Sequence, residues 1–298
     1  MPAQAVSSIA GHPHAVSYIT GKGGAGKTSV AVHTAGYAAS KGYKTLLVDI
    51  DPRGAMADDL GYADEEWNDQ GESFFNSLRS GRPLEPVSGV RPNLDVVVGG
   101  YNLEDVLALA AAGKRPRFVN ALHDCLTPIA ADYHLIVVDC PPGDRLLQMM
   151  ALTATRHLVV TTKFDKGSMR AAEEAGEVAA EVMESTGTVR NLLCCVMFDF
   201  DTGAARMRES SKALLRERLG GVAPILDSYV RHVPAVAEAI RSHGRLAYEL
   251  EENPIPGVKV DAAGLADDYR AIAHQTIRLL GEKNQQAAAA LAGTAQPA

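Results

Sequence analysis

The chain has 298 residues, 46% hydrophobic, 22% charged and 5% aromatic, with a formal net charge of −7. This is globular composition, sufficient for one large α/β domain or two small ones, and the acidic balance argues against the surface as a whole binding nucleic acid. No run of 18 or more apolar residues occurs, and MPAQAVSSIAGHPH lacks a basic segment followed by an apolar core, so neither a membrane-spanning helix nor a secretory signal is expected.

Short apolar runs alternate with helix-period stretches along the chain. That pattern predicts an α/β fold, a mostly parallel twisted sheet flanked by helices on both faces. Residues 1–14 read as a flexible lead, too short for a helix-turn-helix. AVSYIT, Ala15 to Thr20, predicts the first strand, which runs into a glycine-rich loop. TSVAVHTAGYAASKG predicts the helix after it, with Gly42 placed to end it. KTLLVDID is the next strand. Residues 62–92 read as helices and loops at the sheet edge, with no strand. NLDVVVGG (Asn93 to Gly100), YHLIVVDCPPG, HLVVTT, NLLCCVMF and PILDSYV read as further strands. The nearly all-apolar YHLIVVDC is predicted to be central, buried on both faces. A last helix is predicted from about Ala263 to Gly281, with Leu265, Tyr269, Ile272, Thr276 and Leu279 on one face. Residues 15–282 thus make a single domain, and the alanine-rich residues 283–298 read as a disordered tail. Cys125, Cys140, Cys194 and Cys195 show no CxxC spacing and read as core residues of a protein in the reducing cytoplasm.

The chemistry is concentrated in GKGGAGKTS, residues 21 to 29. Gly21, Gly26, Lys27 and Thr28 fit G-x-x-x-x-G-K-[ST], with a strand before and a helix after. In such a loop Gly21, Gly23, Gly24, Ala25 and Gly26 bring backbone N–H groups around phosphate oxygens, and the helix start adds its positive end. Lys27 is expected on the β- and γ-phosphates of ATP, Thr28 on Mg2+, and Ser29 in the same cradle. A magnesium site also needs a carboxylate at a neighbouring strand end, and LIVVDCPPG supplies Asp139. LLVDIDPRG supplies Asp49 and Asp51, two apart, which an extended strand would put on one side. A carboxylate there can orient a water toward the γ-phosphate.

KGGAGKT with its second lysine Lys22, then VDIDPRG, then VVDCPPG, resembles the ParA/MinD family of deviant Walker-A ATPases over roughly residues 15 to 255. The resemblance implies a P-loop NTPase fold and an ATPase that is slow alone and stimulated by a partner. It implies that Lys22 reaches across an ATP-sandwiched homodimer to the other subunit's phosphates, that Asp51 positions the hydrolytic water, and that Asp49 supports either Mg2+ or the switch loop. Arg53 stands where glutamine is common among partition members, a departure expected to leave the chemistry untouched.

Within the family, a MinD-like membrane ATPase ends in a basic amphipathic helix. Here no Lys or Arg follows Lys283, so membrane docking is not expected. The segment SYVRHVPAVAEAIRSHGRLAYEL, residues 228 to 250, resembles the partition branch, with Arg231 expected to border the adenine and His232 and His243 in surface or capping roles. Eight basic side chains against four acidic ones lie between Arg206 and Arg245. Arg206, Arg208, Lys212, Arg216, Arg241 and Arg245 are the candidate contacts to DNA bound without sequence preference. The resemblance further implies a ParB-like partner and a nucleoid-associated protein. A relative of the same kind that positions a protein assembly on the nucleoid, or a MinD-like spatial regulator, fits the same motifs.

Overall fold

The computed structural model describes residues 10–114, 118–163, 166–201, 205–218 and 224–294. Its strands are β1 (His12–Ile19), β2 (Thr45–Asp49), β3 (Val87–Arg91), β4 (Leu94–Val97), β5 (Leu135–Asp139), β6 (Thr155–Thr162), β7 (Asn191–Phe200) and β8 (Ile225–Arg231). They form one eight-stranded sheet in the order β3-β4-β2-β5-β1-β6-β7-β8. All neighbours are parallel except β3 against β4. The chain therefore winds first to one side of β1 and then to the other, and a crevice at the strand C-termini beside such a switch is where α/β sheets bind ligands.

Successive strand residues point to opposite faces, so each central strand feeds two cores. Val16, Tyr18, Leu47 and Val137 pack with α1 (Lys27–Ser40), with the short helix Ala247–Glu252, and with the long last helix Ala263–Thr294. Leu46, Val48, Ile136 and Val138 pack on helices Ala121–Ala130 and Arg145–Ala154. The adjacent cysteines of β7 split between faces, Cys194 into the first core and Cys195 into a third beside it, and all four cysteines are buried and free. Among the described residues no helix is long and apolar enough to cross a membrane.

Three elements differ from the sequence reading. β1 begins at His12 rather than Ala15, because the polar HPH still pairs, His12 lying opposite Thr155. VSGVR forms the strand β3, a half-exposed antiparallel edge whose Gly89 breaks any apolar alternation. The last helix does not stop near Gly281 but continues through the alanine run to Thr294, as alanine's helix propensity allows. On that helix Leu265, Tyr269, Ile272 and Thr276 are buried as expected, but Leu280, not Leu279, completes the buried stripe.

Histidines gather at the sheet end away from the glycine loop. The His12 ring stacks on His123 at 4.9 Å. Burial, then the neighbouring His123 and His14, push the His12 imidazole down to about 4, and burial lowers His123 as well. A histidine lowered in the fold contributes stability above its unfolded value of 6.5, and that contribution is lost as pH falls through the folded value. Urea unfolding midpoints check this. Between about pH 7 and about pH 4.5 the wild type is expected to lose more stability than His12→Gln. An equal loss in both would remove His12 as an acid-sensitive point.

Candidate functional site

The glycine loop leaves β1 at the crevice. Gly24 and Gly26 have φ of 74° and 78°, the left-handed region that glycine enters without steric cost. Among the described residues, a side chain at Gly24 would meet nothing within 4 Å, and at Gly23 only Pro142 Cγ at 3.9 Å. The loop is thus open on one side, directly before the N-terminus of α1. Gly26 is closed on its other side, because a Cβ there would fall 2.1 Å from the Phe198 ring of β7. Ala25 and Lys27 are buried, Lys27 with 4% exposure. Lys22 is exposed. The two lysines therefore point to different surroundings although they lie five residues apart.

The register sets two carboxylates close enough to feel the charge of Lys27. Asp49 and Asp139 end β2 and β5 directly opposite one another. The Thr28 hydroxyl donates to Asp139 Oδ2 at 2.6 Å. Asp49 Oδ2 and Asp139 Oδ1 are buried without a hydrogen-bond partner among the described residues. Burial pushes the Asp139 carboxyl up to about 6, with Lys27 and Thr28 pulling the other way. Burial, then Asp139, raises Asp49 well above the usual range. Two buried acids with orphaned oxygens beside a hydroxyl form a hard oxygen donor set, and this fits a divalent cation such as Mg2+.

Asp51 is placed by a turn, not by the pleat of a strand. β2 stops at Asp49, and the Asp51 N–H folds back to donate to Asp49 Oδ1 at 2.9 Å. The Asp51 carboxylate then accepts from Arg53 three times, from N–H and Nε at Oδ1 (3.0 and 3.1 Å) and from Nη2 at Oδ2 (2.6 Å). Arg53, expected to leave the chemistry untouched, thus lies against the carboxylate that the resemblance assigns to water.

Other expected residues separate. Arg231 ends β8, and its Nε and Nη2 donate to Asp268 at 2.6 and 2.8 Å. It ties the end of β8 to the last helix. The Ser29 hydroxyl donates to the buried Asp59 at 3.4 Å. Lys212 is buried and its ammonium donates to Asp227 at 2.9 Å, so it caps packing and is withdrawn as a DNA contact. Arg216 and Arg241 are exposed, and half-buried Arg245 donates to Asn253 O at 2.8 Å. The side chains of Arg206 and Arg208 lie outside the described residues. His232 is more than half exposed and pairs with Asp199, in keeping with a surface role.

The sequence reading missed Gln148 and Phe198. The buried Gln148 amide donates to Thr20 O and Pro141 O, both at 3.2 Å, and ties the start of the glycine loop to the loop after Asp139. Nothing in the motif marks either residue, since both reach the site only through long-range packing.

An open glycine loop at a helix start, a buried lysine and paired strand-end acids have the make-up of a P-loop nucleotide site. Residues 14–189 match the family model AAA_31, an AAA domain. The chain is 29% identical over 201 residues to the cell division protein PomZ of Myxococcus xanthus, spanning 66% of this chain and 61% of PomZ. It is 34% identical over 149 residues to the chromosome partitioning protein ParA of the same organism, spanning 47% of this chain and 48% of ParA. The chain thus matches between about half and three fifths of these relatives' lengths. The solved structure of apo McdA from Cyanothece superposes with a TM-score of 0.72 at 15% identity, over 88% of this chain and 98% of McdA. A variant of McdA in complex with ATP gives 0.71. The chain belongs to the AAA_31 family, among the ParA/MinD P-loop ATPases.

Proposed function

We propose that the protein is a ParA-type partition ATPase that binds ATP and Mg2+, closes into a homodimer, and holds DNA without sequence preference until hydrolysis releases it. The observation that carries the reading is the pairing of a buried Lys27 with an exposed Lys22 around one open glycine loop. The loop amides from Gly21 to Thr28 would hold the phosphates, with Lys27 compensating their charge. Thr28 would hold Mg2+, with Asp139 and Asp49 behind it. When bound, the metal neutralises charge on the β- and γ-phosphate oxygens. Asp51 would orient the attacking water, and Lys22 would act across the dimer.

Hydrolysis would be slow alone and accelerated by a ParB-like centromere-binding partner. The exposed Arg216 and Arg241 remain the described candidates for phosphate contacts, and the setting would be the cytoplasm at the nucleoid. A second reading keeps this engine but gives it a protein assembly as cargo, and the likeness to a cell division protein favours it.

Binding to a non-specific duplex tests both readings, with no nucleotide, ADP, or ATP and Mg2+, using Asp51→Ala to hold the ATP state. ATP-dependent binding is expected to weaken by at least about tenfold between about 50 and 200 mM salt. No binding, in a protein that dimerises with ATP, would take DNA out of the cycle.

A further inference from the structure

The three rim carboxylates are not equally available. Asp49 and Asp139 each keep one buried oxygen without a partner among the described residues. Asp51 keeps neither, because Arg53 donates to both of its oxygens. A carboxylate has about four acceptor positions, and Arg53 fills three of them. The Asp51 side chain is 2% exposed, whereas that of Arg53 is 60% exposed. The guanidinium therefore lies over the carboxylate as a lid, reachable from solvent and, among the described residues, hydrogen-bonded to Asp51. The short turn helps to hold it there, with Gly54 N–H donating to Asp51 O at 3.0 Å. A water poised for attack would have to meet Asp51 where the guanidinium now sits.

We propose that Arg53 is a brake on hydrolysis: a positioning residue that holds Asp51 out of use in the resting protein, so that turnover requires the guanidinium to move to a competing anion. The inference rests on the reading that Asp51 handles the water. It concerns this chain in particular, since the brake needs arginine at position 53. Bidentate charge-assisted bonds give the grip its geometry. Lysine keeps the charge without the fork, so it would hold Asp51 less well.

Two measurements test the brake. In nucleotide-free protein, the Arg53 Nε–H proton is expected to exchange slowly with solvent in wild type and rapidly in Asp51→Ala, read by 15N-resolved NMR. Rapid exchange in both would overturn the grip. In steady-state ATP hydrolysis, Arg53→Gln is expected to raise kcat with the KM for ATP unchanged, and Arg53→Lys to fall between Arg53→Gln and wild type. A pair this exposed is weak, so the rise is about two- to fivefold. An unchanged or lower kcat in Arg53→Gln, with Asp51→Ala inactive, would overturn the brake alone. Normal turnover by Asp51→Ala would instead overturn the water-handling role of Asp51, and the brake with it.

Discussion

Lys27→Ala is expected to weaken ATP binding by at least about 100-fold, because removing one partner of a buried charge pair costs about 3–5 kcal/mol and each 1.4 kcal/mol is tenfold. The ammonium is 4% exposed, beside Asp49 and Asp139, and its field opposes the upward shift of both carboxyls. Without it, the bound phosphates would face buried acids whose charge the buried ammonium no longer offsets. Calorimetric titration with ATP and Mg2+ measures the loss, and unchanged affinity would contradict the assigned cradle. The variant should also carry a pH signature in the absence of nucleotide. A carboxyl raised in the fold contributes stability below its unfolded value and loses it as pH rises through the folded value, here about 6 for Asp139. Taking away Lys27 extends that window upward. The sign is opposite to that of the histidines at the other end of the sheet, so the two groups separate only through variants.

The centre of the fold was legible because its signals are local. LIVVD is apolar without interruption, as a strand covered on both faces must be, and it is the strand between β1 and β2. The glycine loop, Thr28 and Asp139 could be read from spacing, and the 2.6 Å hydrogen bond joins the last two. What was not legible depends on partners distant in sequence or on rotamers. β3 is half exposed and carries Gly89, and it exists as a strand only because β4 lies beside it. Strand order is a matter of long-range pairing, which no local pattern encodes. Lys212 counts toward a basic stretch, but charge says nothing about which side of a helix meets the sheet. Arg53 reads as a neutral departure in the motif, and only its rotamer, folded back on Asp51, brings it to the site. Arg231 shows the same limit, since Asp268 is 37 residues away along the chain.

Lys22→Ala is expected to leave ATP affinity of a single subunit close to wild type, while abolishing ATP-dependent dimerisation and lowering turnover by at least about 100-fold. The magnitude follows from cationic groups supplied in trans to a transferring phosphoryl group, which contribute factors of about 10³–10⁵. The burial of the two lysines differs in a way that supports action in trans. Lys27 already occupies the inner side of the loop with 4% exposure. A second cation from the same subunit would add little there, whereas the exposed Lys22 stands on a loop that is open toward solvent at Gly23 and Gly24. Two such loops facing each other would place each Lys22 near the other subunit's phosphates, so nucleotide itself would hold the dimer together. Sedimentation of Lys22→Ala and wild type with ATP and Mg2+, beside phosphate-release rates, separates the possibilities. A variant that binds ATP, stays monomeric and does not turn over fits a lysine acting across the interface. A variant that dimerises and hydrolyses normally would return Lys22 to the role of a solvated surface residue. Loss of ATP affinity in the monomer would move its action into its own subunit.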